Sequence, residues 1–135
     1  MTKPALKKVI HTTGKRKMAV ARATLMPGTG IIRINHQLLD AINPELARQR
    51  IMEPLILSEE GNKVNINVLV QGGGWQGQSE AIRTAIARAL VENNKKLKKV
   101  FLDYDRHLIV NDTRFRESRK PNDSKARASR QKSYR

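Results

Sequence analysis

Apolar residues recur at every second position in two segments of the chain, which is the spacing of a β-strand with one buried face. The small and apolar side chains fall on the odd positions of residues 18–26 and on the even positions of residues 64–70. Residues 9–26 as a whole contain two extended stretches. Residues 31–34 predict a short strand that forms a hairpin with 18–26 across a Pro-Gly-Thr-Gly turn. Residues 107–110 predict a last strand.

Helical periodicity is clearest between residues 78 and 92, where an apolar stripe repeats at intervals of three and four residues. The stripe consists of Ala81, Ile82, Ala85, Ile86, Ala89 and Leu90. Because half of these residues are alanine, this helix is expected to approach a sheet closely. Residues 95–102 predict a shorter helix with Leu97, Val100 and Phe101 directed inward.

An earlier helix is expected to begin at Asn43, whose side chain can cap it, with Pro44 in the first turn. Glu45 then places a negative charge at the positive end of the helix dipole. Proline lacks an N–H group and clashes with the preceding turn, so Pro54 is expected to end or kink this helix near residues 52–53.

A glycine-rich segment joins the 64–70 strand to the 78–92 helix. Residues 72–79 follow the phosphate-loop pattern G-x-x-x-x-G-K-S, with Gln78 in place of the lysine. Since glutamine cannot supply the charge of that lysine, a nucleotide-hydrolysing enzyme is the least favoured interpretation. Two others stay open: a tight turn in which glycines adopt positive φ, and helix-start amides that hold an RNA phosphate.

Charge is distributed unevenly along the 135 residues, which carry 27 Lys/Arg, 12 Asp/Glu and a net charge of +15. Residues 1–39 hold eight cations and no acid, residues 40–113 hold ten of each, and residues 114–135 hold nine cations against two acids. Basic ends on a balanced middle suit a densely anionic partner. The five aromatic residues are scattered, which favours contact through phosphates over base stacking.

Two basic segments are candidates for RNA contact. The cluster at residues 15–17, with Arg22 nearby, has no acid close in sequence, although a solvated hairpin loop is the alternative. In residues 114–135 arginine outnumbers lysine six to three, and no Val, Leu, Ile or Met follows Val110. This segment therefore has no core of its own and is either a disordered tail or an arm that folds on RNA.

Composition argues against several other classes of protein. Cysteine is absent, which excludes disulfides, zinc fingers and thiol chemistry. His11, His36 and His107 have no ligand spacing, and no catalytic constellation is evident, so neither an enzyme nor a metal or cofactor is expected. No apolar run approaches the roughly 18–20 residues of a membrane span, and the N-terminus lacks a signal-peptide core, so an intracellular protein is expected.

Three segments together resemble one protein family. They are residues 13–22 (TGKRKMAVAR), residues 72–90 (GGGWQGQSEAIRTAIARAL) and residues 130–135 (RQKSYR). In this order they are similar to small-subunit ribosomal protein nine, and the KSYR ending resembles that of archaeal and eukaryotic members. The resemblance extends from about Val9 to the end of the chain.

The resemblance implies an α+β fold with a mostly antiparallel four-stranded sheet and helices packed on one face, as in the second domain of small-subunit ribosomal protein five. With the residue pattern, it implies an N-terminal extension (1–8), a globular RNA-binding domain (9–110) and an extended basic tail (111–135). It further implies a non-enzymatic constituent of the cytoplasmic ribosome. Its expected partners are ribosomal RNA of the subunit head, peptidyl-site tRNA and neighbouring ribosomal proteins, with no cofactor, membrane or small-molecule substrate.

The candidate site residues follow from the basic segments and from the resemblance. Contact with ribosomal RNA is expected from Lys15, Arg16, Lys17, Arg22, Arg83, Arg88, Lys125, Arg127 and Arg130. Carried over by position, contact with tRNA is expected from Lys132, Ser133 and the terminal Arg135. The alternative from another class is a free architectural protein that binds DNA or RNA with a steep salt dependence.

Overall fold

The computed structural model describes residues 8–122 and 125–128. Its strands are β1 (Ile10–Arg16), β2 (Ala19–Pro27), β3 (Ile32–Ile34), β4 (Gln37–Leu38) and β5 (Val64–Gln71). Its α-helices are α1 (Glu45–Ser58), α2 (Trp75–Asn93) and α3 (Leu97–Tyr104). Short 3-10 helices occupy Leu39–Ala41, Gly61–Lys63 and Arg106–Leu108. The expected α+β class is confirmed.

All five strands belong to one mixed sheet with the order β1-β2-β5-β3-β4. The β1/β2, β2/β5 and β3/β4 pairs are antiparallel, whereas β3 runs parallel to β5. The expectation of four strands was therefore wrong. One strand that was not predicted is β4, which pairs with β3 directly after the Asn35-His36 turn. With only two residues, β4 is too short to show an alternation of apolar and polar positions in the sequence.

The predicted hairpin between 18–26 and 31–34 is also wrong, because β5 lies between β2 and β3. The long hairpin is instead β1–β2, which turns at Lys17 with φ +51°. The connection from β2 to β3 is held against β5 by Asn65, whose side-chain oxygen accepts hydrogen bonds from three successive N–H groups at residues 29–31 over 2.9–3.1 Å.

The core lies between the sheet and α2. In β2 and β5 buried and more exposed residues alternate as predicted, and the register pairs Ala21 with Val70 and Ala23 with Val68. The alanine stripe of α2 is fully buried against this face. Small side chains on both surfaces bring the helix close to the sheet, which confirms the expected close approach.

The predicted helices are present, with several corrections. α2 begins at Trp75, three residues earlier than expected. α3 buries Leu97 and Phe101, but Val100 is 45% exposed, so its inward assignment was wrong. None of the described helices combines the length and apolar character that a bilayer span requires.

α1 differs from its prediction at both ends. Its N-cap residue is Pro44 rather than Asn43, and no side chain caps it. The helix passes through Pro54 and ends at Ser58, so the expected stop near residues 52–53 was wrong. The Pro54 ring is fully buried, and its packing offsets the backbone hydrogen bond that proline cannot donate.

Residues 107–110, predicted as a last strand, form no strand. The Asp105 side chain accepts a hydrogen bond from the His107 N–H at 2.9 Å and caps the 3-10 helix Arg106–Leu108. Leu108 is fully buried by this turn. A local side-chain cap therefore competes successfully with the extended conformation that the apolar run suggested.

Candidate nucleic-acid interface

The outer sheet face is the side of the sheet that the helices leave uncovered. Alternate residues of β1, β2, β3 and β5 point to it, because successive side chains of a strand face opposite sides. These residues are His11, Thr13, Lys15, Val20, Arg22, Thr24, Arg33, Asn65, Asn67, Leu69 and Gln71. Apart from the apolar Val20 and Leu69, the set contains cations, a histidine, amides and hydroxyls but no carboxylate, so within the described chain this face is positively charged.

Strand register brings the cations of this face into one area. Arg22 on β2 and Arg33 on β3 lie on either side of β5, which places them roughly 10 Å apart across the strands. Both line one shallow concavity together with His11 and His36. The ring of His11 is placed by a hydrogen bond between its Nδ1 and the Thr24 hydroxyl at 3.1 Å. A phosphate backbone crossing this concavity meets cations, hydrogen-bonding groups and the exposed Leu69, but no carboxylate among the described lining residues.

Sequence reasoning missed three residues of this area: His11, Arg33 and His36. A signal for Arg33 was present, since it occupies the alternate position between two inward isoleucines of the predicted 31–34 strand. The histidines carried no such signal, because their proximity to Arg22 depends on the order of strands in the sheet.

The predicted basic cluster at residues 15–17 is divided between two sides of β1. Lys15 is exposed on the outer sheet face, with its Nζ 5.2 Å from the centre of the Phe115 ring. Lys17 is exposed in the β1–β2 turn. Arg16 points the other way and is only 13% exposed, with its Nε 2.6 Å from Glu80 and its Nη1 3.1 Å from Asp112.

The two arginines of α2 also bind groups of the protein itself. Arg83, 14% exposed, lies 2.6 Å from Glu53 of α1 and 3.0 Å from Asp105. Arg88 donates hydrogen bonds of 2.8 Å to the carbonyl oxygens of Thr13 and Ile109. Arg83 therefore connects α2 to α1 and to the segment after α3, and Arg88 connects α2 to β1 and to Ile109.

The ion pairs perturb two carboxyl groups. Burial acts to raise the pKa of Asp105, but the hydrogen bond from the His107 N–H and the adjacent Arg83 outweigh it and hold the pKa below its usual 3.8. The side chain and N–H of Arg114 hold the pKa of Asp112 well below its usual range. Both groups are therefore carboxylates at neutral pH.

Residues 111–115 lie along β1 instead of leaving the body directly. Asp112 forms a parallel bridge with Arg16, and the Lys15 N–H donates to the Asn111 side chain at 3.3 Å. Asp112 also accepts a 2.7 Å hydrogen bond from Arg114. The start of the C-terminal segment thus has a defined position on the domain.

The other candidate residues belong to the C-terminal segment. Lys125 is exposed, and the exposed Arg127 forms a 2.6 Å ion pair with Glu117. The remaining candidates lie outside the described residues; they are Arg130, Lys132, Ser133 and Arg135.

The glycine-rich segment forms a tight strand-to-helix turn. Gly72 and Gly73 have φ of +80° and +64°, and a Cβ at Gly72 would lie 2.3 Å from the Met18 carbonyl oxygen. The Gln78 side chain donates back to the Gly72 carbonyl at 3.1 Å. The turn interpretation is confirmed, whereas an RNA phosphate at the start of α2 stays a prediction.

A compact α+β domain with a carboxylate-free, cationic sheet face and a basic C-terminal segment is typical of small proteins that bind nucleic-acid backbones. Residues 14–135 match the family described as Ribosomal protein S9/S16. The chain therefore belongs to this ribosomal protein family.

Relatives extend the match over almost the whole chain. A protein named small ribosomal subunit protein uS9 from Methanothrix thermoacetophila is 47% identical over 131 residues, which cover 95% of this chain and 99% of the relative. Proteins of the same name from Halobacterium salinarum and Methanococcus maripaludis are 48% and 47% identical over 94% and 95% of this chain, and each is covered to 99%. The resemblance stated from sequence is confirmed. A family of ribosomal structural proteins also confirms the non-enzymatic role and the location in the cytoplasmic ribosome.

Proposed function

We propose that this protein is a structural constituent of the small ribosomal subunit that binds ribosomal RNA of the subunit head and contacts peptidyl-site tRNA with its C-terminal residues. Family membership and the names of the three relatives support the assignment to the small ribosomal subunit. The observation that carries the RNA contact is the outer sheet face, where Lys15, Arg22 and Arg33 lie with no carboxylate among them.

The cations have two roles in this proposal. Lys15, Lys17, Arg22 and Arg33 contact phosphates directly, because they are exposed and have no described ion pair. The inward-facing arginines 16, 83 and 88 act on RNA indirectly, by holding β1, α1, α2 and the C-terminal segment in place. Neutralised phosphates release counterions, so binding by the direct group is salt-dependent.

The C-terminal segment carries the second contact. Residues after Val110 include no Val, Leu, Ile or Met to form a core, and their cations suit a path along ribosomal RNA, lined by Lys125, Arg127 and Arg130. In this path Lys132, Ser133 and Arg135 reach the tRNA. The proposed organisation is an N-terminal extension at 1–8, a domain at 9–110 and a tail at 111–135, with 111–115 resting on the domain.

The outer sheet face is tested with Arg22→Gln/Arg33→Gln and, as a control of equal charge change, Lys98→Gln/Lys99→Gln on exposed positions of α3. Binding of the full chain to a fragment of head ribosomal RNA is measured from 50 to 300 mM salt. The first variant is expected to lower the slope of log K against log salt by about 2, one for each lost phosphate contact. Equal slopes for both variants would rule out this face.

The tail is tested by removing residues 130–135. Small subunits carrying the shortened chain are expected to retain the protein in high salt but to hold peptidyl-site tRNA more weakly, most visibly at low salt. Unchanged tRNA retention across the salt series contradicts the tail contact. Loss of the intact protein from subunits in high salt would instead support the free nucleic-acid-binding alternative.

A further inference from the structure

A second concavity lies between β3, β4 and the C-terminal half of α1, away from the cationic area around Arg22. We name it the α1 groove; Ile31, Leu38, Asp40, Met52, Ile56 and Glu59 are among its lining residues. Three of its apolar side chains are unusually open to solvent, with Ile31 42%, Leu38 53% and Ile56 66% exposed. Converging exposed apolar groups of this kind mark an interaction surface.

The charge of the α1 groove is opposite to that of the outer sheet face. Asp40 and Glu59 line it, and no lysine or arginine does among the described residues. Neither carboxylate forms an ion pair in the part of the chain that the structure describes. Arg48 is close by, but its guanidinium donates to the Asp40 backbone carbonyl. In a chain with 27 cations and 12 acids, a groove lined by two carboxylates and no cation is unsuited to RNA, because both carboxylates repel its phosphates.

We infer that the α1 groove binds a basic segment of a neighbouring ribosomal protein, whose aliphatic or aromatic side chains cover Ile31, Leu38 and Ile56 and whose cations pair with Asp40 and Glu59. This rests on the proposed function, since the partner is found only in the subunit. Proteins that share an RNA scaffold carry excess cations, as this chain does, so they complement the groove in charge where RNA does not. An apolar centre with charged groups at its rim is the usual composition of a protein interface.

The occupant is identified by a photoreactive residue at position 56, introduced into the full chain and assembled into small subunits. The same probe at position 69, on the exposed Leu69 of the outer sheet face, serves as the control. The position-56 probe is expected to crosslink to a ribosomal-protein peptide of net positive charge, and the position-69 probe to RNA. If the position-69 probe does not reach RNA, the proposed docking of the outer sheet face fails, whatever position 56 gives.

Charge reversal separates the possible occupants. Asp40→Lys/Glu59→Lys is expected to lower the protein crosslink from position 56 roughly tenfold, because two attractive contacts become repulsive. Asp40→Asn/Glu59→Asn, which perturbs the fold less, should give an intermediate loss. A position-56 crosslink to RNA, to a second copy, to residues 1–7 of the same chain or to nothing would overturn the inference, as would a protein crosslink that charge reversal strengthens.

Discussion

At Gly14 the backbone of β1 lies directly on α2. A Cβ added there would lie 2.1 Å from the Ala81 carbonyl oxygen and 2.7 Å from the Ala85 nitrogen, both of which are backbone atoms of the helix. The neighbouring Thr12 hydroxyl donates to the Ala85 carbonyl at 2.8 Å and fixes the same contact. Glycine at this position is therefore required for the distance between sheet and helix and not for an unusual φ.

Gly14→Ala is expected to lower the free energy of unfolding by about 3 kcal/mol, because α2 must move away from β1 and its packing is lost. Gly77→Ala is the matched control. Its Cβ would lie 3.5 Å from the nearest atom, at ordinary contact distance, and alanine favours the helix by up to about 1 kcal/mol. Urea unfolding of both variants measures the difference, and equal midpoints would contradict this account of the β1–α2 contact.

The residue types in the sequence predicted that the candidate interface is cationic, but not which of its cations form ion pairs within the protein. In the run from Lys15 to Lys17 all three side chains are basic, yet strand geometry turns Arg16 inward to Glu80 and Asp112. Its two carboxylate partners lie 64 and 96 residues away, so no local pattern shows them. The cluster thus divides between two exposed lysines, which are available to a partner, and an arginine with a structural role.

At the scale of elements, Arg83 joins three helical regions. It projects from α2 and lies between Glu53 of α1 and Asp105, which follows α3. Asp105 in turn caps the 3-10 helix Arg106–Leu108 through the His107 N–H. Because one guanidinium serves two carboxylates, the packing of these helices depends on the ionisation of Asp105.

Asp105→Asn is expected to flatten the dependence of stability on pH. Since the pKa of Asp105 is below 3.8 in the folded protein, the folded state releases this proton more readily than the unfolded state does. The contribution of the Asp105 carboxylate to the free energy of unfolding is complete above the pKa of about 4 that this group has in the unfolded chain. It is lost as pH falls through the lower pKa of the folded state. For a partly exposed pair it amounts to about 1 kcal/mol or less.

Urea unfolding between about pH 5 and pH 2 measures this contribution, with the unmodified chain expected to fall more steeply than Asp105→Asn. Arg83→Gln provides a second measurement. It removes the cation beside Asp105, so the pKa of Asp105 followed by carboxyl NMR should rise. Identical pH profiles for the unmodified chain and Asp105→Asn would assign the dependence to other carboxyl groups.

Long elements with a clear apolar periodicity were predicted from the sequence. Short elements, and features that depend on residues far apart in the chain, were not. β2, β5 and α2 follow their apolar periods closely, since burial of one face determines each of them. β4 has only two residues, and the insertion of β5 between β2 and β3 depends on pairing over about 40 residues. Periodicity identifies which face of a strand is buried, but it does not give the strand's neighbours in the sheet.

For the whole molecule, composition and contacts give different boundaries between the domain and the basic C-terminal segment. No Val, Leu, Ile or Met follows Val110, so on composition the tail would begin at residue 111. In the structure Asn111, Asp112 and Phe115 contact β1 through Lys15 and Arg16. The first five residues after Val110 therefore belong energetically to the domain.

This boundary predicts different behaviour for two shortened chains. A chain ending at residue 115 keeps the contacts of Asn111, Asp112 and Phe115 with β1, so it should unfold at about the same urea concentration as the full chain. A chain ending at residue 110 leaves Arg16, a largely buried cation, without Asp112, so it should unfold at a lower urea concentration. Both should bind head ribosomal RNA with a smaller salt slope than the full chain, because both lack the eight cations from Arg116 to Arg135. Equal unfolding midpoints for the two chains would mean that residues 111–115 do not stabilise the domain. The domain would then end at residue 110 and not at residue 115.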